Sequence, residues 1–213
     1  MSLGYRIAGY EFSSTEIRDL LIAWLALGVA FAIFFAQPNI AALFVAPEIL
    51  VVSLLTAGVA FLLHEVAHKV VAVHYDQIAE FRADYSMLFL AIMSAMIGII
   101  FAAPGAVHHQ GYVTKREHGH IAIAGPVINL LLAAVFVPLY VAGIVLGVDM
   151  LGTLGRFGII INLFLAAFNL IPFGPLDGKT VIGWSKLAWL GTFLLSVLLT
   201  IGSVLLLGLR FQL

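Results

Sequence analysis

Residues 49–74 read ILVVSLLTAGVAFLLHEVAHKVVAVH, and this stretch decides the class of fold. Its first part, residues 49–63, carries no charge and is shorter than the roughly 20 apolar residues with which a helix crosses a bilayer. The segment therefore spans a membrane only if its helix continues through His64, Glu65 and His68. Ionisable side chains at membrane depth are costly and usually mark function. The stretch predicts a transmembrane helix that carries a functional site near its end.

The composition of the whole chain is that of an integral membrane protein. Of its 213 residues, 63% are hydrophobic and 10% are charged, whereas soluble domains carry roughly a quarter charged residues. Further windows without charge approach or exceed bilayer length at residues 20–36, 85–107, 121–148, 157–176 and 187–209. We predict an all-α polytopic membrane protein with five to six transmembrane helices, in which residues 1–213 form a single membrane-embedded domain.

Charge and cysteine content exclude several classes of function. Ten Lys and Arg against eleven Asp and Glu give a formal net charge of −1, so the basic patch that would bind nucleic acid is missing. The chain has no Cys, which excludes disulfides, thiolate nucleophiles and Cys-based zinc sites. The first window follows Arg6 and Arg18, and its 17 uncharged residues exceed a secretory signal core of about 7–15 residues. We therefore expect an uncleaved first span with a cytoplasmic N-terminus.

The sequence H-E-x-x-H at residues 64–68 has the spacing of a zinc site. Positions i and i+4 of a helix share a face, so His64 and His68 can hold one Zn²⁺ between them. Glu65, on the adjoining position, then serves as general base toward the water that the metal activates. The alternative is a pair of histidines that hydrogen-bond neighbouring helices, with Glu65 neutral or paired with Lys69.

A catalytic zinc ion normally takes three protein ligands, and without Cys the third must be His, Asp or Glu. The candidate is Asp177, in the stretch NLIPFGPLDG at residues 169–178. Its prolines and glycines break the end of a charge-free window, and irregular backbone at membrane depth is tolerated where it lines a cavity. The alternative is an ordinary interfacial turn. Four further histidines could form a second metal site or supply the third ligand instead, but a wet loop explains them more simply. They are His108, His109, His118 and His120.

Three motifs, taken together, resemble the site-2 protease family of intramembrane zinc metalloproteases, here in a minimal prokaryotic or archaeal form. They occur in the family's order as H-E-x-x-H at 64–68, A-G-P-x-x-N at 124–129 and N-x-x-P-x-x-P-L-D-G at 169–178. The resemblance covers a catalytic core of about residues 48–180, with flanking helices at 17–36 and 187–209. It implies one zinc ion per chain, bound by His64, His68 and Asp177, with Glu65 activating the water. It also implies a transmembrane protein as substrate.

Two asparagines match polar positions of the same family and are predicted to bind substrate. They are Asn169, eight positions before Asp177, and Asn129 in the middle motif. A carboxamide within a span needs a partner, and it could stabilise a developing oxyanion or bind an extended substrate backbone. The alternative is an interhelical hydrogen bond, which is common in membranes.

The proposed zinc site also constrains topology. If one metal binds His68 and Asp177, the ends of their two windows lie on the same side of the membrane, and an even number of crossings separates them. Three windows lie between, so one of them does not cross. If residues 85–107 enter and leave by the same face, eight of the ten Lys and Arg fall on the cytoplasmic side and only Arg156 and Arg210 fall outside, as the positive-inside rule prefers.

We therefore expect a multi-pass protein of the cell membrane with five crossings and a re-entrant, interfacial or β segment over residues 85–107. Pro104 and Gly105 make a return of the chain plausible there. The family places β-structure between its first two core helices, and residues 111–116 (GYVTKR) could supply a strand edge to which an extended substrate adds as a further strand.

Two other function classes compete with a protease. Buried His and Asp also serve metal or proton transporters, but the sequence shows no internal repeat of the kind that transporters often have. An inactive, protease-like scaffold that binds partner helices is the third possibility, and the intact Glu65 argues against it.

Overall fold

The structure is a computed structural model that describes residues 4–100 and 104–208. Its helices, in chain order, are α1 (Ser14–Phe35), α2 (Ala42–Val45), α3 (Glu48–Ser53), α4 (Val59–His74), α5 (Tyr85–Met96), α6 (Lys115–Leu146), α7 (Asp149–Asn169), α8 (Asp177–Trp184) and α9 (Lys186–Leu207). A π-helical turn, Leu54–Gly58, joins α3 to α4. Its strands are β1 (Gly4–Ile7), β2 (Tyr10–Ser13), β3 (Ile78–Ala83) and β4 (Gly105–Gln110).

Five helical segments of the described chain are long and apolar enough to cross a membrane. They are α1, the continuous segment Glu48–His74, α6, α7 and α9. The window at residues 85–107 instead contains α5, whose 12 residues are too short to span, followed by β4. The predicted all-α polytopic fold with five crossings and a β segment after the H-E-x-x-H helix is confirmed. Residues 101–103, within that window, lie outside the described chain, as do Leu209 and Arg210.

The second span runs through His64 to His74, as its length requires. Its π-helical turn lies against α1, where the indole Nε1 of Trp24 donates to the carbonyl of Leu54 at 3.0 Å. Gly58 leaves room for this indole, since a Cβ there would lie 2.6 Å from Trp24 Cδ1. The two helices thereby approach closely and fix the position of α4.

The predicted strand edge at residues 111–116 is wrong. The strand is β4, which begins six residues earlier and ends at Gln110, and Lys115 already begins α6. The reason is a capping box: the Thr114 hydroxyl accepts from the amide of Glu117, and the Glu117 carboxylate accepts from the amide of Thr114. β4 pairs antiparallel with β3, from Ile78 opposite Gln110 to Ala83 opposite Gly105.

The ends of two spans and the starts of three others lie together at one end of the bundle. Because the spans alternate in direction, α4 and α7 end at the same side at which α1, α6 and α9 begin. Phe81 of β3 is buried against Phe61 of α4, with ring centroids 5.8 Å apart. The hairpin of β3 and β4 therefore lies against α4, the metal-motif helix that carries H-E-x-x-H. The outer helix α9 is mostly exposed, with apolar side chains such as Leu198 and Leu205 directed away from the protein, as expected for contact with lipid.

Candidate metal centre

The structure brings together three side chains that lie up to 113 positions apart in the sequence. His64 and His68 stand one turn apart on α4, with ring centroids 4.6 Å apart. The Oδ2 atom of Asp177, the first residue of α8, lies 3.2 Å from His64 Nε2 and 3.4 Å from His68 Nε2. Both imidazoles are buried.

These separations suit a tetrahedral metal ion. With bonds of about 2.0–2.1 Å from zinc to nitrogen or oxygen, two ligand atoms of a regular tetrahedron lie roughly 3.3–3.4 Å apart. The two distances from Asp177 Oδ2 match that spacing. Two imidazole nitrogens and one carboxylate oxygen are also a donor set that Zn²⁺ accepts.

Each imidazole is held by its other nitrogen. His64 Nδ1 lies 2.6 Å from Asn129 Oδ1, and His68 Nδ1 lies 2.7 Å from the carbonyl oxygen of Ile121. Both oxygens can only accept, so each Nδ1 carries the hydrogen and each Nε2 presents a lone pair. This arrangement is the usual support for a metal-binding histidine.

The orientation of the Asn129 carboxamide is itself determined by its neighbours. Its Nδ2 donates to the carbonyl of Ala60 at 3.2 Å and to Asn162 Oδ1 at 3.0 Å. Asn162 Nδ2 in turn donates to the carbonyl of Gly158 at 2.8 Å. Asn129 and Asn162 are both fully buried. The three side chains therefore form one chain of hydrogen bonds, in which His64 donates to Asn129 of α6, Asn129 donates to Asn162 of α7, and Asn162 donates to the Gly158 carbonyl.

Gly125 lets α6 approach the two imidazoles. A Cβ atom at this position would lie 2.4 Å from His64 Nε2 and 2.5 Å from His68 Nε2. Any side chain would therefore occupy the space in front of both nitrogens. The glycine leaves that space free for a metal ion.

A cavity of about 920 Å³ opens beside the three donors. Its polar part includes Glu65 and Asp177, and its apolar part includes Phe31 and Phe61. Glu65 is 7% exposed, and its carboxylate lies in one group with the ligand atoms of His64 and His68, all within 4.8 Å. The site thus combines a set of metal donors with a carboxylate and a space for a ligand.

Comparison with known proteins points to the chemistry of this site. No protein-family model matches the sequence, and no solved structure matches it at a significant level. A protein of Methanocaldococcus jannaschii named "Putative zinc metalloprotease MJ0611" is 41% identical over 182 residues, which cover 84% of this chain and 90% of that protein. The chain belongs to this family of zinc metalloproteases. A second relative, "Putative zinc metalloprotease YwhC" of Bacillus subtilis, is 34% identical over 144 residues, 60% of this chain and 66% of that protein.

The two predicted substrate-binding residues of the metalloprotease lie in different places. Asn169 lines the cavity, and its Nδ2 donates to the carbonyl of Leu165 at 3.0 Å. Asn129 lies behind His64, and both ends of its carboxamide are bonded within the protein. These contacts give Asn129 a role in orienting His64, and a substrate contact of either asparagine stays a prediction.

The alternative pairing of Glu65 with Lys69 is wrong. Lys69 Nζ donates to Glu16 Oε2 at 2.5 Å, whereas Glu65 lines the cavity. Lys69 therefore binds α1, and the Glu65 carboxylate is available to the metalloprotease site.

The remaining histidines do not complete a second group of three ligands within the described residues. His108, His109 and His118 also line the cavity, and the rings of His109 and His118 lie 5.4 Å apart. Burial, together with His118 and His108 nearby, holds the pKa of His109 below its ordinary value. His120 is engaged elsewhere, with its Nδ1 lying 2.6 Å from the Tyr75 hydroxyl.

Sequence reasoning missed two supports of the site. Ile121 contributes only its backbone carbonyl, for which no residue type gives a signal. Asn162 did leave a signal, since it is a carboxamide inside a charge-free window, where a polar group needs a partner.

Proposed function

We propose that this metalloprotease is an intramembrane zinc endopeptidase of the site-2 type, which hydrolyses peptide bonds of transmembrane proteins. The observation that carries the proposal is the placement of His64 Nε2, His68 Nε2 and Asp177 Oδ2 at tetrahedral spacing inside a bundle of five bilayer-length helices. A substrate helix in the bilayer can approach a site among these five apolar spans from the side.

His64, His68 and Asp177 would hold the zinc ion, and Asn129 and the Ile121 carbonyl keep the two imidazoles in the required tautomer. Zinc bound there would lower the pKa of a water molecule and polarise the scissile carbonyl. The Glu65 carboxylate accepts the proton of the attacking water and donates it to the leaving amine. Glu65 is buried and lines the cavity, so its carboxylate can reach a water molecule bound there.

The substrate must be extended before it can react. A helix hides its carbonyls in backbone hydrogen bonds, so a short stretch has to unwind. The cavity of about 920 Å³ next to Glu65 accommodates such a stretch, and β4 borders it. We expect the extended segment to pair with the edge of β4, because strand addition satisfies the backbone groups that unwinding exposes.

The distribution of charge supports a site near the cytoplasmic face. Of the Lys and Arg residues in the described chain, all but Arg156 belong to segments at the end of the bundle that holds the metal donors, namely Arg6, Arg18, Lys69, Arg82, Lys115, Arg116, Lys179 and Lys186. Under the positive-inside rule this end faces the cytoplasm, with the N-terminus on the same side.

The decisive experiment uses the full chain in sealed lipid vesicles and two synthetic peptides, each a single apolar span of identical composition. One peptide carries an Asn-Pro pair within the span, and the other carries the same pair outside it. We expect cleavage within the span of the first peptide, detected by mass spectrometry, and no cleavage by Glu65→Gln, which keeps the zinc donors.

Other outcomes would contradict the proposal. Hydrolysis of unfolded β-casein without cleavage inside either span would indicate a metalloprotease that acts at the membrane surface. Equal cleavage by Glu65→Gln would refute the role of Glu65. Zinc flux into the vesicles without any hydrolysis would favour a transporter.

A further inference from the structure

Two buried carboxylates of α1 lie outside the metal centre and bind the hairpin that borders its cavity. Glu16 is completely buried and Asp19 is 2% exposed. Both lie in the first turns of α1, on the side packed against β3. Burying a carboxylate is costly unless it is paired and hydrogen-bonded, so the partners of these two side chains decide what they do.

Glu16 joins three elements of the fold. Its Oε2 accepts from Lys69 Nζ at 2.5 Å, and its Oε1 accepts from the backbone amide of Phe81 at 3.1 Å. Lys69 is itself buried and directly follows His68 on α4, and its ammonium lies 4.0 Å from the centroid of the Phe12 ring. One side chain of α1 thus connects the metal-motif helix with β3.

Asp19 repeats the contact two residues further along β3. Its Oδ2 accepts from the backbone amide of Ala83 at 3.3 Å, and its Oδ1 accepts from the Tyr85 hydroxyl at 2.7 Å. Arg18 also donates to Oδ1 at 3.2 Å. The two carboxylates therefore bind alternate amides of the same strand.

Alternate amides of a strand point to the same edge. Since the amides of Phe81 and Ala83 are bound by α1, they point away from β4, and the ladder bonds are made by the residues between them. The bond from the amide of Asp84 to the carbonyl of Pro104, at 3.0 Å, fits the same alternation. The outer edge of β3 is thus covered by α1.

The same alternation determines what β4 presents. Opposite Phe81 and Ala83 in the register stand Val107 and Gly105. Their backbone N–H and C=O groups point away from β3, and both residues line the cavity beside the metal donors. Arg82 and Ala83 of β3 also line this cavity, but α1 covers the outer edge of their strand. The uncovered hairpin edge that borders the cavity is therefore that of β4.

We propose that Glu16 and Asp19 are positioning residues that cap the outer edge of β3 and hold the hairpin at a defined distance from the metal-motif helix. An uncapped β3 edge would expose amides that attract another strand, so the carboxylates leave the β4 edge as the one that a substrate can use. The functional part of this inference rests on the proposed function, because it assumes that an extended substrate pairs with β4.

The test compares two double variants that both remove the buried ion pair. In E16Q/K69M the side-chain oxygen introduced at position 16 can still accept from the Phe81 amide, whereas in E16L/K69M position 16 has no acceptor. Hydrogen–deuterium exchange of residues 78–83, followed by mass spectrometry, reports the cap directly. We expect the exchange rate of this segment to be about tenfold higher in E16L/K69M than in E16Q/K69M, because one buried hydrogen bond contributes about that factor to an equilibrium.

Kinetics on the spanning peptide report the positioning role. We expect KM to be about tenfold higher for E16L/K69M than for E16Q/K69M, with similar kcat and one zinc ion per chain in both. Equal KM values for the two variants would show that the bond to the Phe81 amide does not affect substrate binding, and this result would overturn the proposal.

A second pair of variants, Asp19→Asn and Asp19→Leu, applies the same comparison to the Ala83 amide and keeps the proposal testable if a Glu16 variant fails to fold. The exchange measurement also separates the two proposals. If the wild type does not cleave the peptide but E16L/K69M still exposes β3, the proposed function fails and the cap stands. If exchange of β3 does not depend on the acceptor, the cap fails whatever the activity.

Discussion

The Nδ1 atom of His64 lies 2.6 Å from the Oδ1 atom of Asn129. Because the other end of this carboxamide donates to the Ala60 carbonyl and to Asn162, its oxygen must face the imidazole. The hydrogen of His64 is thereby placed on Nδ1, and Nε2 is left with a lone pair toward Asp177. A tautomer is selected by packing between α4, α6 and α7.

Loss of this contact should weaken zinc binding. We expect Asn129→Leu to lower zinc affinity about 10- to 100-fold, the usual effect of removing a partner behind a metal-binding histidine. Affinity is measured by competition with a chromophoric chelator. Asn169→Leu is the matched control, since Asn169 lines the cavity and its carboxamide bonds to the Leu165 carbonyl rather than to an imidazole. Equal affinities for the two variants would contradict the positioning role of Asn129.

The zinc content of purified variants tests the three donors. We expect about one zinc ion per chain in the wild type and in Glu65→Gln, and its loss in His64→Ala and Asp177→Ala, because a catalytic zinc site needs three protein ligands. Elemental analysis of the protein in detergent gives the numbers. Zinc retained by Asp177→Ala would move the third ligand elsewhere, and the cavity histidines His108, His109 and His118 would be the next to test.

Gly125 offers a steric test of the same site. In Gly125→Ala the new methyl group would lie 2.4 Å from His64 Nε2, so it must displace an imidazole or the metal. We expect loss of bound zinc and of cleavage with the helical circular dichroism unchanged. Gly183→Ala is the control, because a Cβ at Gly183 meets nothing within 4 Å. If Gly125→Ala binds zinc as tightly as Gly183→Ala, α6 does not pack directly against the two imidazoles.

The buried ion pair between Lys69 and Glu16 predicts a strong asymmetry among variants. Lys69→Met leaves the fully buried Glu16 carboxylate without its cation, which should cost about 3–5 kcal/mol. E16Q/K69M removes both charges and should recover most of that loss. Thermal unfolding in detergent measures both. A single variant as stable as the double variant would show that Lys69 and Glu16 do not form a buried pair.

Much of the fold follows from local patterns. Hydropathy identifies the spans because each bilayer-length helix has to be apolar along its own sequence, and the same-side requirement for His68 and Asp177 correctly removes one crossing at residues 85–107. The strand prediction at residues 111–116 fails because the capping box of Thr114 and Glu117 starts a helix within that segment. The pattern H-E-x-x-H predicts the shared helix face of His64 and His68 by periodicity alone.

Residue types and their spacing were enough to predict the membrane class, five to six spans and the residues that could form a metal site. Hydropathy and helical periodicity act within a segment, and the same-side argument needs only the order of the segments. The packing of the helices was needed to place Asp177 3.2 Å from His64, to bring a backbone carbonyl to His68 and to pair Lys69 with Glu16 rather than with Glu65. The physical reason is that these contacts join residues 53 to 113 positions apart. Their distances are set by how α1, α4, α6 and α8 pack against one another, and no local pattern records that packing.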